Sequence, residues 1–296
     1  MRFIITGGAG FIGSSFANYC LELGHEVLVV DKLTYAGSLN NLNSTTGKLE
    51  ILISDICEVN GEMLGKYDYL VNFAAESHVD NSIKDGRPFV RSNIEGTFNL
   101  LELARNNSHL KKFIQISTDE VYGDMNHYGP KIEATESFSL SGSSYYAASK
   151  AAADLLVQAA GRTYNLPFLI TRTCNNFGPN QHEEKFIPKL IRSIKNDIPI
   201  GIYGQGKNIR EWIYVEDNIK AVFHLTTSEK TGIHNIGSGN RVSNIEIVNF
   251  VEEILGRSIK KEYIEDRKGH DMRYALHSLD IELTLSLKEY LKQQLL

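Results

Sequence analysis

The stretch TGGAGFIG, residues 6–13, is the part of this chain that decides its fold. It follows the apolar run FIIT, residues 3–6, and precedes a run of residues that favours a helix. Gly7, Gly10 and Gly13 are spaced three apart, and glycine permits both a tight turn and the close approach of a phosphate to a helix N-terminus. Any strand-to-helix turn favours glycine, so a purely structural turn is the competing interpretation. The position between strand and helix predicts a dinucleotide-binding loop.

An acidic residue at the end of the next apolar run strengthens this prediction. The run EVLVVD, residues 26–31, ends in Asp31, which is 18 residues after Gly13. A carboxylate at this place binds ribose hydroxyls and repels a 2′-phosphate, which predicts NAD as the cofactor. Lys32 is adjacent, so NADP stays open as the alternative.

Further apolar runs continue the pattern outward from the loop, at residues 49–53, 69–73, 113–117 and 168–172. Helix-like stretches lie between several of them, and this alternation predicts βαβ units and a parallel sheet. We therefore expect an α/β protein with a Rossmann-type doubly wound sheet in residues 1–174. A smaller mixed α/β substrate domain is predicted in residues 175–296, with segments near 210–236 returning to the first domain.

The composition excludes several classes of protein. The chain is 42% hydrophobic and 23% charged, and its net charge of −5 gives no support for a nucleic-acid surface. Cys20, Cys57 and Cys174 are too widely spaced for a zinc site or a disulfide framework, which predicts no metal and a reducing compartment. No signal peptide and no membrane span are predicted, so we expect a cytoplasmic protein.

A tyrosine and a lysine four residues apart are the first candidates for catalysis. Tyr146 and Lys150 lie in YYAASK, residues 145–150, at the start of an Ala-rich helix, where this spacing places both side chains on one face. Beside a nicotinamide ribose, Lys150 would lower the pKa of the tyrosine, which could then accept a proton from a sugar hydroxyl as hydride leaves. A surface pair is the competing interpretation. Tyr145 is five residues from Lys150 and is not the candidate.

Two adjacent carboxylates follow the apolar run that ends near residue 117. They are Asp119 and Glu120 in ISTDEVYGD, residues 116–124. Two like charges so close together separate in pKa, so one of them can remain protonated while the other is ionised. The pair is either a solvated turn or an acid and a base placed side by side, and the spacing alone does not decide which residue is which.

These motifs together resemble the extended short-chain dehydrogenase/reductase superfamily. STDEVYG, residues 117–123, narrows the resemblance to the dTDP-glucose 4,6-dehydratases, because related epimerases and decarboxylases usually lack the acid pair. The resemblance runs from residue 1 to about residue 275 and is also carried by DKLTYAG, AAESHVDNSI, NNFGP, REWIYVEDN and GHDMRY.

The resemblance implies a lyase reaction in three stages on a nucleotide sugar. NAD-dependent oxidation at carbon 4 precedes loss of water across carbons 5 and 6, and hydride then returns to carbon 6 to give dTDP-4-keto-6-deoxyglucose. It implies that Tyr146 and Lys150 serve the oxidation together with Thr118. It also implies that Asp119 is the acid and Glu120 the base of the elimination.

The resemblance further assigns two sets of binding residues. The cofactor set is Gly7, Gly10, Phe11, Ile12, Gly13, Asp31, Lys32, Leu33, Thr34, Tyr35, Asp55, Ile56, Phe73, Ala74, Ala75, Ser77, Ser92, Tyr146, Lys150 and Asn176. The substrate set is Ser77, Thr118, Asn175, Lys185, Phe186, Ile187, Pro188, Lys189, Leu190, Gly201, Ile202, Tyr203, Arg210, Asn244, Asp266, Arg267, Lys268, Gly269 and His270. Arg210 and Arg267 also suit a diphosphate on chemical grounds, since a guanidinium binds it at two points.

Four features depart from the family pattern. SLSGSSYY, residues 139–146, lacks the expected prolines; Asn180 and Glu183 replace an aromatic residue and a proline; Lys268 replaces a proline; and the last segment lacks the usual final turn and helix. UDP-glucose 4,6-dehydratase and another nucleotide-sugar epimerase or dehydratase are the alternative enzymes, and a non-catalytic NAD-sensing regulator is the alternative of a different class. The resemblance also implies a homodimer that pairs the helices around residues 93–104 and 145–160.

Overall fold

The computed structural model describes residues 1–43 and 46–296. Its strands are β1 (Arg2–Thr6), β2 (Glu26–Asp31), β3 (Lys48–Ile53), β4 (Tyr69–Asn72), β5 (Lys112–Thr118), β6 (Phe168–Thr173), β7 (Asn175–Phe177), β8 (Ile200–Tyr203), β9 (Ile209–Tyr214), β10 (Gly232–Ile236), β11 (Arg241–Ser243) and β12 (Lys261–Ile264). Its helices are α1 (Phe11–Glu22), α2 (Gly61–Leu64), α3 (Val79–Lys84), α4 (Arg87–Phe89), α5 (Gly96–Arg105), α6 (Tyr145–Tyr164), α7 (Phe186–Lys195), α8 (Val215–Thr227), α9 (Asn244–Leu255) and α10 (Leu287–Leu295). A π-helical segment, Val90–Glu95, leads into α5, and short 3-10 turns lie at Leu39–Asn41, Asp119–Tyr122 and Met125–Tyr128.

Seven parallel strands form the main sheet in the order β10-β6-β5-β4-β1-β2-β3. In the middle of the sheet, Ile5 of β1 lies opposite both Val29 of β2 and Val71 of β4. The chain adds β2 and β3 on one side of β1 and then crosses to β4 on the other side. Ligands of such sheets bind at the carboxyl ends of the strands where the order reverses, here between β1 and β4. The predicted Rossmann-type doubly wound sheet is confirmed.

Both faces of the sheet are buried at β1, β2, β4, β5 and β6, which explains the apolar runs of these strands, whereas the edge strand β3 is partly exposed. Side chains alternate between the faces of a strand, so Phe3 and Ile5 join one core layer and Ile4 joins the other. Six of the seven strands correspond to the apolar runs from which the sheet was predicted. The seventh strand, β10, has the sequence GIHNI, and it was not predicted because its polar residues interrupt the apolar run.

A late segment of the chain returns to the main sheet. Helix α8 packs against α1, and β10 pairs with β6. The remaining late elements form two small sheets, with orders β11-β9-β7 and β12-β8, around a core of their own. The division into domains at residue 174 stays a prediction.

The last segment of the chain packs against this second core. Ser286 caps α10 by accepting a hydrogen bond from the Glu289 amide, and the Glu289 carboxylate accepts one from the Ser286 amide. Leu287, Tyr290 and Leu291 are buried in the core formed with α7 and α9. Within residues 1–43 and 46–296, no helix combines the length and the apolar character needed to cross a membrane.

Candidate active site

The loop between β1 and α1 leaves open space at the N-terminus of the helix. Gly7 has a φ of +66°, and a Cβ there would lie 2.5 Å from the Ala74 backbone nitrogen. A Cβ on Gly13 would lie 2.2 Å from the Gly7 carbonyl oxygen, so both glycines are needed for the turn itself. Gly10 lines the cleft, and its nearest obstacle is that same oxygen at 3.3 Å. Gly10 also caps α1 without a side-chain hydrogen bond, which leaves the first helix amides to an anion.

The carboxylate of Asp31 joins two loops at the end of β2. One of its oxygens accepts a hydrogen bond from the Ala9 amide at 3.0 Å, and the other accepts from the Leu33 amide at 2.8 Å. Lys32 donates to the Ser92 hydroxyl at 3.1 Å and lies 3.8 Å from Asp55. Because Lys32 is already held among polar groups on this side of the cleft, the local charge favours a free ribose over a 2′-phosphate.

One continuous cleft along the carboxyl ends of the strands collects most of the predicted cofactor residues. Its lining includes Gly7, Gly10, Phe11, Ile12, Gly13, Asp31, Lys32, Thr34, Asp55, Ile56, Phe73, Ala74, Ala75, Ser77, Ser92, Tyr146, Lys150 and Asn176. Leu33 and Tyr35 flank Thr34 in the loop after β2. The same cleft is lined by Thr118, Asp119 and Glu120, so one space reaches both predicted catalytic groups.

The acid pair occupies a tight turn at the end of β5. Thr118 caps this turn, because its hydroxyl accepts a hydrogen bond from the Glu120 amide at 3.3 Å and donates one to Asp119 at 3.2 Å. Asp119 is 3% exposed, and its second carboxyl oxygen is buried with no hydrogen-bond partner among the described residues. A buried oxygen without a partner in the wall of a cleft is suited to a bound molecule.

The two carboxyl groups differ in their electrostatic surroundings. Burial raises the pKa of Asp119 well above its usual range, and the charges of Glu120 and Glu211 raise it further. Burial also raises the pKa of Glu120, but Arg267, Arg210 and Lys185 act in the opposite direction. Asp119 is therefore the group that retains a proton, and Glu120 is the group that ionises first. This difference has the direction that an acid and a base require, and the two roles themselves stay predictions.

Helix α6 presents Tyr146 and Lys150 to the same cleft. Ser144 caps the helix by accepting a hydrogen bond from the Ala147 amide. Lys150 is 3% exposed and donates to the Ile116 carbonyl at 2.6 Å, and burial lowers its pKa to about 8. Burial raises the pKa of Tyr146, as do the charges of Glu120 and Asp119, while a hydrogen bond with Thr118 lowers it. The lowering of the tyrosine pKa by Lys150 beside a bound nicotinamide ribose stays a prediction.

Cationic side chains approach the acid pair from the later part of the chain. Arg210 stacks on the Tyr274 ring at 4.3 Å and donates to the Asp271 carbonyl at 2.9 Å. Arg267 lies 3.8 Å from Asp80, and its Nε is buried without a hydrogen-bond partner in the described part of the chain. Both guanidinium groups are held near Glu120, where they suit an anionic ligand.

Residues 3–237 match the model of a family described as the NAD dependent epimerase/dehydratase family. The chain belongs to this family.

Individual relatives extend the match over almost the whole chain. The protein is 46% identical to a low-salt glycan biosynthesis protein of Haloferax volcanii, over 93% of this chain and 90% of that protein. It is 40% identical to the dTDP-glucose 4,6-dehydratase of Escherichia coli, over 97% of this chain and 88% of that protein. The crystal structure of a dTDP-glucose 4,6-dehydratase from Streptomyces venezuelae, with NAD bound, superposes with a TM-score of 0.92 at 36% identity, covering 100% of this chain and 96% of that one.

The cleft of this epimerase/dehydratase family member fits the cofactor for which the family is named. The open space at Gly10 and the first amides of α1 suit a diphosphate, and Asp31 lies where a ribose would bind. Asn176 contributes a buried side-chain oxygen that has no hydrogen-bond partner within the described residues. These observations support NAD binding along the whole cleft.

The predicted substrate residues are only partly brought together. Ser77, Thr118, Asn175 and Lys185 line the cleft, and Lys185 donates to the Ser77 carbonyl at 2.9 Å. Ile187, Leu190 and Ile202 are buried in the second core, so only their backbone could face a ligand. The remaining predicted positions lie on α7, β8, β9, the start of α9 and the segment after β12, and their roles stay predictions: Phe186, Pro188, Lys189, Gly201, Tyr203, Arg210, Asn244, Asp266, Arg267, Lys268, Gly269 and His270.

One group of residues in the lining of the cleft was not predicted from the sequence. Gln181, His182 and Glu184 line it, in the segment that departs from the family pattern. The rings of His182 and Tyr35 meet edge to face at 5.4 Å, and burial and the charge of Glu184 raise the pKa of Tyr35 to about 12. Tyr35 follows β2, whereas His182 follows β6 and β7, and β2 and β6 are four strand spacings apart, roughly 19 Å. Two loops therefore cross the cleft to meet, which no local pattern could predict.

Proposed function

We propose that this protein is an enzyme that removes one water molecule from dTDP-glucose, giving dTDP-4-keto-6-deoxyglucose. The observation that carries the proposal is the single cleft shared by two pairs of groups, Tyr146 with Lys150 and Asp119 with Glu120. A 4-epimerase needs the first pair alone, because it never breaks a bond at carbon 6. Asp119 as a buried acid and Glu120 as an ionised base, in the same cleft as Tyr146 and Lys150, would add the loss of water across carbons 5 and 6.

The first stage of the reaction belongs to Tyr146. Tyr146 lines the cleft together with Thr118, and its ionised phenolate, which the Lys150 ammonium group would favour beside a bound ribose, would accept the proton of the hydroxyl on carbon 4 of the sugar. When bound, NAD supplies the acceptor for hydride from carbon 4 and later returns that hydride to carbon 6. Lys150 is fixed by the Ile116 carbonyl, and its ammonium group is placed to orient a ribose.

The elimination belongs to the acid pair. A ketone at carbon 4 acidifies the proton on carbon 5, which the Glu120 carboxylate removes, and Arg210, Arg267 and Lys185 favour the charged form of that carboxylate. Asp119, held protonated by burial, donates its proton to the departing hydroxyl of carbon 6, which leaves as water. Glu120 then returns its proton to carbon 5. The proton accepted by Tyr146 balances the one that Asp119 gives up.

The proposal is tested by incubating the purified protein with dTDP-glucose and with UDP-glucose in separate reactions. Mass spectrometry should show the loss of one water from dTDP-glucose, and Asp119→Asn should suppress this loss. Preferential loss of water from UDP-glucose would instead support the uridine-nucleotide enzyme. A product of unchanged mass but altered configuration would identify an epimerase, and the absence of any product with NAD bound would favour a regulator.

We also propose that the enzyme is a homodimer that pairs α5 and α6 with the same helices of a second copy. Phe98 on α5 is 54% exposed and Leu155 on α6 is 57% exposed, so these two neighbouring helices present apolar surface to a second copy. Small alanine side chains on α6 would permit close helix approach. Ala147, Ala151 and Ala153 are buried within the protomer, and Ala148 and Ala152 remain at least partly accessible.

We further propose that the enzyme works in the cytoplasm. All three cysteines are free, and Cys20 and Cys174 are buried, which suits a reducing compartment.

A further inference from the structure

A buried ion pair lies behind the catalytic groups, and the proposed reaction uses neither of its members. The Arg172 Nε donates to a carboxylate oxygen of Asp154 at 2.9 Å, and the two side chains are 2% and 0% exposed. Asp154 follows Lys150 by four residues and Tyr146 by eight, so all three share one face of α6. Asp154, one member of this ion pair, therefore lies on the helix that carries Tyr146 and Lys150, the residues proposed for the oxidation.

Arg172, the other member of the ion pair, contacts the turn that carries Asp119 and Glu120, the residues proposed for the elimination. Arg172 Nη1 donates to the Tyr122 hydroxyl at 2.9 Å, and the guanidinium carbon lies 4.9 Å from the centre of the Tyr122 ring. Tyr122 is the last residue of the turn that begins at Asp119. Its hydroxyl donates to the Asn235 side-chain oxygen at 2.7 Å, and Asn235 in turn donates to the Ala134 and His277 carbonyls.

Stability alone does not account for these buried polar groups. Removing a carboxylate and a guanidinium from water costs several kcal/mol, and apolar residues of the same volume are often as stable or more stable in such places. A buried ion pair is best attested where it fixes one arrangement of elements against others. Here, the elements that it connects are α6 and the Asp119–Tyr122 turn, through β6 and β10.

We propose that Asp154, Arg172 and Tyr122 are positioning residues that hold the Asp119–Glu120 turn in place relative to the Tyr146–Lys150 face of α6. The inference rests on the proposed function, in which the two pairs act on neighbouring carbons of one sugar. A misplacement of about 1 Å costs on the order of a hundredfold in rate. The two pairs come from separate elements, and this network of hydrogen bonds fixes the spacing between them from behind.

None of the three residues acts on the substrate directly. Arg172 and Tyr122 are each 1% exposed and Asp154 is fully buried. Tyr122 and Arg172 are 50 residues apart in the sequence, and Arg172 and Asp154 are 18 apart, so the network forms only when the sheet and α6 are assembled.

Tyr122→Phe is the mildest test, since it removes one hydroxyl and keeps the ring against Arg172. In a single turnover with dTDP-glucose, oxidation should stay close to the wild-type rate while elimination slows by about tenfold to a hundredfold. The absorbance of the reduced cofactor should therefore accumulate. Tyr290→Phe, a buried tyrosine in the second core, is the matched control and should leave both rates unchanged. An unchanged ratio of the two rates in Tyr122→Phe would overturn the proposal.

A double variant, Asp154→Leu with Arg172→Met, separates positioning from stability. It keeps the buried volume and removes both charges, so the melting temperature should remain close to that of the wild type. The elimination should nevertheless slow relative to the oxidation. If the melting temperature fell and both rates declined together, the network would be structural only, and the proposal would be wrong.

Amide hydrogen exchange provides a measurement that does not depend on the reaction. In Tyr122→Phe, the amides of residues 118–123 should exchange about tenfold faster, while those of α6 should not change. Unchanged protection of the turn would overturn the inference even in an active enzyme. Failure of the wild-type protein to dehydrate any nucleotide sugar would instead overturn the proposed function, and the exchange result would still decide the positioning role.

Discussion

Asp119 is the residue whose surroundings determine the second half of the proposed reaction. Burial and two neighbouring carboxylates raise its pKa, so its proton stays in place to higher pH than in an ordinary aspartic acid. The elimination should therefore speed up as rising pH ionises Glu120, whose pKa burial also raises, and should decline again as pH rises through the still higher pKa of Asp119. The elimination rate declines at high pH because Asp119 loses its proton, and the charged carboxylate cannot act as an acid.

Asp119→Asn should retain oxidation but slow elimination by about two to four orders of magnitude, the usual range for the loss of a general acid. Amide and carboxyl groups have the same shape, but the amide has no acidic proton. A single-turnover trace of reduced-cofactor absorbance should rise and persist, and the high-pH decline should disappear. Glu120→Gln should also stall elimination and should abolish exchange of the carbon 5 proton with deuterated solvent. Dehydrated product from Asp119→Asn at the wild-type rate would contradict the acid role.

Two adjacent tyrosines provide a matched comparison at the start of α6. Tyr146 lines the cleft, whereas Tyr145 is 67% exposed. Tyr146→Phe should reduce kcat by roughly a hundredfold to ten-thousandfold while NAD still binds, and Tyr145→Phe should have little effect. Steady-state rates and a cofactor titration check both variants. The reverse order of severity would move the catalytic role to Tyr145.

The glycine loop is the element in which the sequence and the structure agree most closely. A loop of this kind can be predicted because its requirements are local: the turn, the helix start and the acidic residue on the next strand all follow in order. Strands β1, β2, β4, β5 and β6 were predictable for the same reason, since their burial on both faces leaves continuous apolar runs. Strand β10 and the Asp154–Arg172–Tyr122 network were not predictable, because they depend on partners far away in the sequence.

Two glycines of the loop should respond differently to alanine. In Gly10→Ala the new methyl group meets only the Gly7 carbonyl oxygen, at 3.3 Å, so the fold should survive while NAD binding weakens. In Gly13→Ala the methyl group would lie 2.2 Å from that oxygen, so the melting temperature should fall as well. Thermal unfolding and a cofactor titration, run on both variants, separate the two effects. If Gly10→Ala and Gly13→Ala lowered the melting temperature equally, Gly10 would be needed for the turn, as Gly13 is, and its role in NAD binding would not be supported.

At the scale of the whole molecule, the exposed apolar surface of α5 and α6 predicts association. Light scattering at micromolar concentration should give the mass of a dimer. Leu155→Glu should shift the protein toward the monomer, because it places a charge on a side chain that is 57% exposed in the protomer. Leu39→Glu, on an exposed leucine outside these helices, is the control and should leave the mass unchanged. A monomeric wild type would contradict the proposed dimer.

The contact between Tyr35 and His182 bears on how the whole molecule holds its cofactor. His182→Ala removes the ring that meets Tyr35 across the cleft, so NAD should dissociate severalfold faster. Tyr35→Phe keeps the ring contact and removes only the hydroxyl, so its effect should be smaller. Stopped-flow measurement of cofactor release, without any sugar present, provides the comparison. Identical release from His182→Ala and wild type would show that the crossing loops do not retain the cofactor.

A molecule of NAD beneath these crossed loops would be a permanent part of the enzyme during turnover. The reaction consumes no reducing equivalents, so such an enzyme would run at the same speed whether the surrounding pool of nicotinamide cofactors is oxidised or reduced. Retention of the cofactor by these two loops would also have a disadvantage. If a half-processed sugar escapes after the first stage, the enzyme is left reduced and idle until the two loops separate and a fresh cofactor enters.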